Sequence, residues 1–174
     1  MMRILPLAAL AILVVPPAAA QSPLPRLQGQ ILTPYCRQSE CAWTQVIGIA
    51  RMTRVRQGEL RRVIVRRGSS IHRDGRFPDR AAQVRIRWER GTRANYVFCS
   101  TRRPTYAFSE ASGLIVHYLD LFDLAGYQQA SADLYMRLCH GRSYSVRAAR
   151  ALGYRPGTRN EQVENVRVAD LSRF

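Results

Sequence analysis

The segment from residue 83 to residue 120 most limits the folds open to this chain, because four short apolar runs follow one another within it. Turn-forming residues separate the runs, among them Gly91, Pro104 and Gly113. Short apolar runs divided by such residues are typical of antiparallel strands joined by tight turns. The segment therefore predicts an antiparallel meander, and we expect the rest of the domain to pack around it.

The residues before this segment predict a further hairpin. An apolar and partly alternating run covers residues 44–56, and a second run covers residues 60–67, with a turn expected at Gln57-Gly58 between them. A helix over residues 45–56 remains an alternative, since Gly48 is the only clear helix breaker there.

After the meander the apolar spacing changes to that of helices. Ser131 is the expected N-cap of a first helix that ends at Gly141, and Ser143 or Ser145 is expected to cap a second over residues 146–152. The predicted fold class is therefore α+β, with an antiparallel sheet of about six strands followed by two short C-terminal helices. We assign residues 35–155 to a single disulfide-stapled domain and residues 156–174 to a mostly polar tail.

The first twenty residues have the pattern of a secretory signal peptide. Arg3 precedes an apolar run, and small residues end the segment at Ala20, after which we expect cleavage. A membrane anchor is the alternative, but the run is shorter than the roughly 20 residues that span a bilayer. Residues 21–34 would then form a proline-rich leader, and no later segment is apolar enough to cross a membrane. We expect the mature protein to be periplasmic or secreted.

Four cysteines, all beyond the predicted cleavage site, agree with export. Of the three possible pairings we favour Cys36–Cys41 and Cys99–Cys139, which would close a small loop and join the meander to the first helix. The alternative is a zinc site that also uses His140, but the paired two-cysteine clusters of such sites are absent. We therefore expect no metal and no cofactor.

The chain is strongly basic, with a formal net charge of +15, and it contains arginine but no lysine. Thirteen arginines fall between residues 51 and 90, and several alternate with apolar residues. Either these arginines form a ligand-binding face, or they reflect a genome that uses arginine in place of lysine. The expected partner is an anionic envelope polymer or lipid headgroup, with no specific nucleic-acid role. The candidate ligand-binding residues are Arg54, Arg56, Arg62, Arg66, Arg85 and Arg87.

No familiar catalytic motif is present, and the weak catalytic candidates are single histidines. His117 lies in a predicted strand with Asp120 nearby, which suggests a general base held by a carboxylate. His72 lies in a predicted loop close to two serines, but residues this near in sequence rarely form a triad. For each histidine the alternative is a structural role. The other ionisable candidates are Asp74, Glu110, Asp123 and His140.

These observations leave three hypotheses for function. The favoured one is an exported periplasmic binding or interaction module, which binds anionic envelope ligands through its arginines. The first alternative is a small periplasmic hydrolase that uses a histidine and a carboxylate, although we expect a non-enzyme. The second is a structural subunit of an envelope complex. Convergence of His117, Asp120 and another polar group in a cleft would favour the hydrolase.

Overall fold

The computed structural model of the protein describes residues 25–32, 34–110 and 113–173. The predicted signal peptide lies outside these residues. The described chain has an α+β fold, in agreement with the predicted class. Its strands are β1 Tyr35–Arg37, β2 Glu40–Val55, β3 Gly58–Ile71, β4 Arg87–Trp88, β5 Arg93–Cys99, β6 Thr105–Glu110, β7 Gly113–Tyr118 and β8 Glu161–Glu164. Its helices are α1 Gln129–His140 and α2 Val146–Ala151.

One antiparallel sheet contains all eight strands: seven follow the order β1-β2-β3-β5-β6-β7-β8, and β4 pairs with β3 beside this path. The second half of the long strand β3 pairs with β4 instead of β5. The prediction of about six strands was too low, because β1, β4 and β8 have only two to four residues each. The sheet also does not precede the helices completely. The strand β8 follows them and pairs with β7, so part of the predicted polar tail belongs to the sheet.

The first hairpin confirms strands over both predicted runs and excludes the helical alternative. Its turn is Arg56-Gln57, because Val55 pairs with Gly58. Gly58 belongs to the strand, where a Cβ atom would come within 2.5 Å of the Cys99 carbonyl oxygen. The glycine is therefore needed for a close approach between strands, and the turn lies one residue earlier than predicted.

Apolar residues cover both faces of the sheet. On one face Val63, Val97 and Tyr106 pack beneath Tyr135 and Met136 of α1. A second cluster lies on other residues of the same strands and includes a short 3₁₀ helix at Val168–Ser172 through its buried Leu171. Successive strand residues point to opposite faces, so β3, β5 and β6 each contribute to both clusters.

The helix α1 begins before Ser131, contrary to the predicted N-cap. A 3₁₀ turn at Gly126–Gln128 leads directly into it, and Ser131 lies inside the helix, where its hydroxyl contacts a strand residue. The predicted end at Gly141 is confirmed, since this residue has a left-handed conformation with φ of 68°. Ser145 caps α2 by accepting a hydrogen bond from the backbone N–H of Ala148.

Two disulfides join the described cysteines in the pairing favoured from the sequence. Cys36–Cys41 connects β1 with the start of β2, and Cys99–Cys139 connects β5 with the end of α1. Disulfides of this kind are typical of exported proteins. In the part of the chain that the structure describes, no helix is both long enough and apolar enough to cross a membrane.

Candidate functional site: an aromatic cleft between the sheet and helix α1

A cleft of about 850 Å³ lies between the sheet and the start of α1. Its lining includes the ends of β2 and β3, the short strand β4, and the middle of β6 and β7. Both tryptophans of the chain, Trp43 and Trp88, contribute to it. Tyr106, Phe108 and Tyr127 add further aromatic surface. The volume falls within the range that is typical of small-molecule sites in proteins, about 300–1,000 Å³.

Strand alternation and register explain how the central residues reach the cleft. Tyr106 and Phe108 are two residues apart on β6, so their side chains lie on the same face. Tyr106 is directly opposite His117 on β7, and side chains at such positions are neighbours. Helix α1 passes over this face and contributes Ser131 to the cleft.

His117 is the most constrained polar residue of the cleft. Its ring is 4% exposed and lies edge-on to Phe108 and Tyr127, with centroid distances of 5.3 and 5.4 Å. Its Nδ1 atom is 2.8 Å from the hydroxyl of Ser131, and its Nε2 atom is 2.9 Å from Oε1 of Gln162 on β8. Burial lowers the pKa of His117 below its usual 6.5, and the hydrogen bond to Gln162 opposes this only in part. The imidazole is therefore neutral at pH 7.

Basic side chains lie around the mouth of the cleft. Arg67 is bound to Glu110 at 2.7 Å and stacks over Phe108. Arg87 and Arg90 also line the cleft, and within the described residues neither has an acidic partner within 4 Å. An exposed arginine without a carboxylate keeps its charge and its donors available for an anionic ligand.

Of the six arginines predicted to bind a ligand, only Arg87 lines the cleft. Arg54 and Arg56 lie at the tip of the first hairpin, far along β2 from the cleft end of that strand. Arg85 is exposed in the segment before β4. These positions place the predicted arginines in several separate regions.

The two arginines of β3 from the same prediction, Arg62 and Arg66, share one face of that strand. Alternation puts them on the face opposite Val63 and Val65, which pack against α1. Arg66 stacks over Trp88, with 5.5 Å between its guanidinium carbon and the ring centroid. Arg66 therefore packs against Trp88, a residue of the cleft lining, without lining the cleft itself.

Asp120 does not join His117. Its two carboxylate oxygens accept hydrogen bonds from the backbone N–H groups of Phe122 and Gly157, at 2.9 and 2.7 Å. The side chain is 5% exposed and connects the end of the sheet with the segment that follows α2. The hydrogen bonds of Asp120 thus indicate a structural role, and Ser131 takes the place beside His117 that the sequence suggested for a carboxylate.

His72 forms a second serine–histidine contact, outside the cleft lining. Its Nε2 atom is 2.8 Å from the hydroxyl of Ser70, which also accepts a hydrogen bond from Nε1 of Trp43. The two residues are neighbours because positions i and i+2 at the end of β3 point to the same side. The sequence argument concerned triads, and this contact is a pair, since the other partner of Ser70 is Trp43.

His140 lies at the opposite end of α1 from the cleft. Its Nε2 atom is 2.6 Å from the hydroxyl of Tyr154, which in turn contacts the hydroxyl of Tyr135 at 2.8 Å. Burial, followed by the positive charges of Arg61 and Arg142, lowers the pKa of His140 to about 4. Next to the Cys99–Cys139 disulfide, this network stabilises the packing of α1 on the sheet.

Sequence reasoning missed Ser131, Gln162 and Tyr127 as residues of the site. Ser131 was assigned to a helix cap, and Gln162 to the polar tail. Tyr127 is 51% exposed, at the mouth of the cleft, and precedes the predicted helix. The one available signal was the valines at positions 163, 166 and 168, which are compatible with a short element in the tail. No group of three or more His, Cys, Asp or Glu side chains converges among the described residues.

Comparison with known proteins adds no functional assignment. No protein-family model matches this chain, and no curated protein and no solved structure matches it.

Proposed function

We propose that this protein is an exported binding protein of the bacterial periplasm, and that its cleft holds a small anionic ligand with a ring-shaped or apolar portion. The observation that carries this proposal is the combination of an aromatic cleft of about 850 Å³ with unpaired arginines at its mouth. The disulfides and the predicted signal peptide support export. Phosphorylated or acidic sugars of the envelope have the required chemistry.

Each part of the ligand has a matching region in this proposal. Trp88, Phe108 and Tyr127 offer flat apolar surfaces on which a sugar or aromatic ring can pack. Arg87 and Arg90 offer planar guanidinium groups that bind carboxylate or phosphate oxygens in pairs. Glu40 and Glu89 lie in the same lining and can accept hydrogen bonds from ligand hydroxyls.

The test uses the two tryptophans as reporters, because both line the cleft. The mature protein is titrated with glucuronic acid, glucosamine 6-phosphate and benzoate, each beside its uncharged counterpart, while tryptophan fluorescence and thermal stability are measured. We expect at least one anionic compound to bind about tenfold more tightly than its neutral counterpart, a difference of about 1.4 kcal/mol. Binding that does not depend on the ligand's charge, or no binding at all, would contradict the proposal.

Matched variants locate the binding surface. Arg87→Gln and Arg90→Gln each remove one cationic group from the mouth of the cleft, and we expect each to weaken binding of the anionic ligand. Arg85→Gln is the control, since Arg85 is exposed on the same segment but does not line the cleft. An equal loss in all three variants would indicate a nonspecific charge effect.

A further inference from the structure

We propose that the cleft is also the active site of an esterase, in which Ser131 is the nucleophile and His117 is the general base. The inference rests on the proposed function, because the ester substrate must occupy the same cleft. It differs from the predicted histidine–carboxylate pair, since Asp120 is engaged elsewhere. Three observations carry it: the hydrogen bonds of His117 with Ser131 and Gln162, the buried hydroxyl of Tyr106, and the position of Ser131, His117 and Tyr106 in the cleft lining.

The hydrogen-bond directions around His117 follow from the orientation of the Gln162 amide. Its Nε2 group lies 3.5 Å from a carboxylate oxygen of Glu164, which can only accept a hydrogen bond. This orientation leaves Oε1 of Gln162 facing His117, whose Nε2 atom therefore carries the proton. The Nδ1 atom then holds a lone pair, and among the described residues the matching donor is the hydroxyl of Ser131 at 2.8 Å. The Ser131 proton thus already points at a base.

Burial keeps that base unprotonated at neutral pH. The rings of Phe108 and Tyr127 pack against His117 on the cleft side, and the resulting loss of solvation lowers its pKa. A neutral imidazole that is oriented by a third group is the arrangement that activates a serine hydroxyl. Gln162 acts here as a positioning residue, because it touches the base and not the substrate.

Tyr106 provides a donor for the charge that develops during the reaction. Its hydroxyl oxygen lies 2.6 Å from Nδ2 of Asn95, whose Oδ1 atom is buried without a hydrogen-bond partner among the described residues. Burial raises the pKa of Tyr106 to about 12, which keeps the hydroxyl proton in place at neutral pH. Tyr106 lies directly opposite His117 in the strand register and lines the same cleft. In the proposed reaction its hydroxyl, which is held by Asn95 on β5, is the donor to the oxyanion.

The reaction then proceeds in two balanced halves. Ser131 Oγ forms a bond to the ester carbonyl carbon while its proton passes to Nδ1 of His117, and Tyr106 donates a hydrogen bond to the resulting oxyanion. The carbon–oxygen bond to the leaving alcohol breaks, and His117 returns the proton to that alcohol. Water repeats the sequence on the acyl-serine, which releases the acid and restores Ser131. The net reaction is ester plus water to acid plus alcohol.

The experiment labels the folded mature protein with a fluorophosphonate, which reacts with activated serines, and identifies the labelled residue by peptide mass spectrometry. Hydrolysis of p-nitrophenyl acetate is followed in parallel. We expect one phosphonyl group per chain, attached to Ser131, and a loss of at least 100-fold in hydrolysis rate in Ser131→Ala. Because the labelled residue is identified in the unchanged protein, the test remains decisive even if the Ser131→Ala variant fails to fold.

Ser70→Ala is the matched control. Ser70 has the same 2.8 Å contact with a histidine but does not line the cleft, so this variant should label like the unchanged protein. Label on Ser70, or no label at any serine, overturns the proposal. If ligand binding by tryptophan fluorescence persists without labelling, the cleft is a binding site only. The failure of the esterase is then distinct from failure of the proposed function.

Gln162→Glu tests the positioning role. Tyr106, Tyr127 and, beyond Gln162, Glu164 surround His117, and the variant adds a carboxylate directly at Nε2–H. This change should raise the pKa of His117 and move the pH profile of labelling to higher pH. An unchanged profile would mean that the group at Nε2 of His117 does not control the base for Ser131.

Discussion

A histidine lies at each end of helix α1, and the two have different surroundings. At the C-terminal end His140 belongs to a closed network of Tyr154 and Tyr135 beside the Cys99–Cys139 disulfide. At the N-terminal end His117 contacts Ser131 at the wall of an open cleft. The C-terminal end of α1 is therefore fixed to the sheet by a disulfide and buried hydrogen bonds, whereas its N-terminal end lines the cleft. These are called the fastened end and the open end below. A cleft of this size can be maintained beside α1 because the helix is anchored at its other end.

Among the contacts at the fastened end, the Cys99–Cys139 disulfide should contribute most to the free energy of unfolding. Replacing Cys99 and Cys139 together by serine is expected to lower the free energy of unfolding by about 3–4 kcal/mol, because the bond closes a 40-residue interval. Urea unfolding at neutral pH measures this. The double replacement of Cys36 and Cys41, which are five residues apart, is the control and should cost about 2 kcal/mol. An equal loss of stability in both double variants would mean that the Cys99–Cys139 disulfide does not anchor α1 more strongly than the short-loop disulfide stabilises β1.

Arg61 should make the next largest contribution to the free energy of unfolding. Its side chain is 2% exposed, pairs with Glu59 at 2.6 Å and donates to the carbonyl oxygen of Leu138 at 2.7 Å. Arg61→Met should destabilise the protein by about 2–3 kcal/mol, below the usual cost of breaking a buried pair because Arg51 also contacts Glu59. The neighbouring exposed Arg62→Met should change the free energy of unfolding by under about 0.5 kcal/mol. Similar losses in both variants would contradict an anchoring role for Arg61.

Changes at the open end should have smaller effects on stability. Ser131→Ala removes one hydrogen bond and is expected to cost about 1 kcal/mol in urea unfolding. The same variant should abolish labelling of the cleft, so its effects on stability and on chemistry separate. A loss as large as that of the Cys99–Cys139 replacement would show that the cleft end also anchors the helix.

Acid should weaken both ends through their histidines. The pKa of His140 is about 4 in the folded protein and near 6.5 in the unfolded chain, so the unfolded state binds more protons between these values. Stability should therefore be fully present above pH 6.5 and decline as the pH falls towards 4, with His117 acting in the same direction. His140→Gln should flatten this decline in thermal unfolding measured across pH 4–7. An unchanged slope would mean that other groups cause the acid sensitivity.

Much of the fold could be predicted from local patterns. The alternating runs indicated β2, β3 and the meander, and Gly141 indicated the end of α1 because only a residue that tolerates positive φ ends a helix in this way. The prediction was least accurate for short strands. β4 and β8 have two and four residues, too few for a periodic pattern to emerge from the surrounding polar sequence.

The candidate site could be predicted only in part. His117 and Arg87 were identified from the sequence, and both line the cleft. Asp120 was expected beside His117 because it is three residues away, yet its carboxylate binds backbone N–H groups of a later segment. Ser131 and Gln162 lie 14 and 45 residues from His117. Closeness in sequence was therefore a poor guide to closeness in this site.

Local patterns in the sequence were enough to predict most of the secondary structure, and composition was enough to show the even number of cysteines and the excess of positive charge. Each of these depends on residues near one another in the chain, or on composition alone. Only the folded chain shows that β8 returns to the sheet after the helices, and that Ser131 and Gln162 contact His117 through its two ring nitrogens. Such contacts depend on strand register and on the path of α1 across the sheet, which arise from packing over the whole domain.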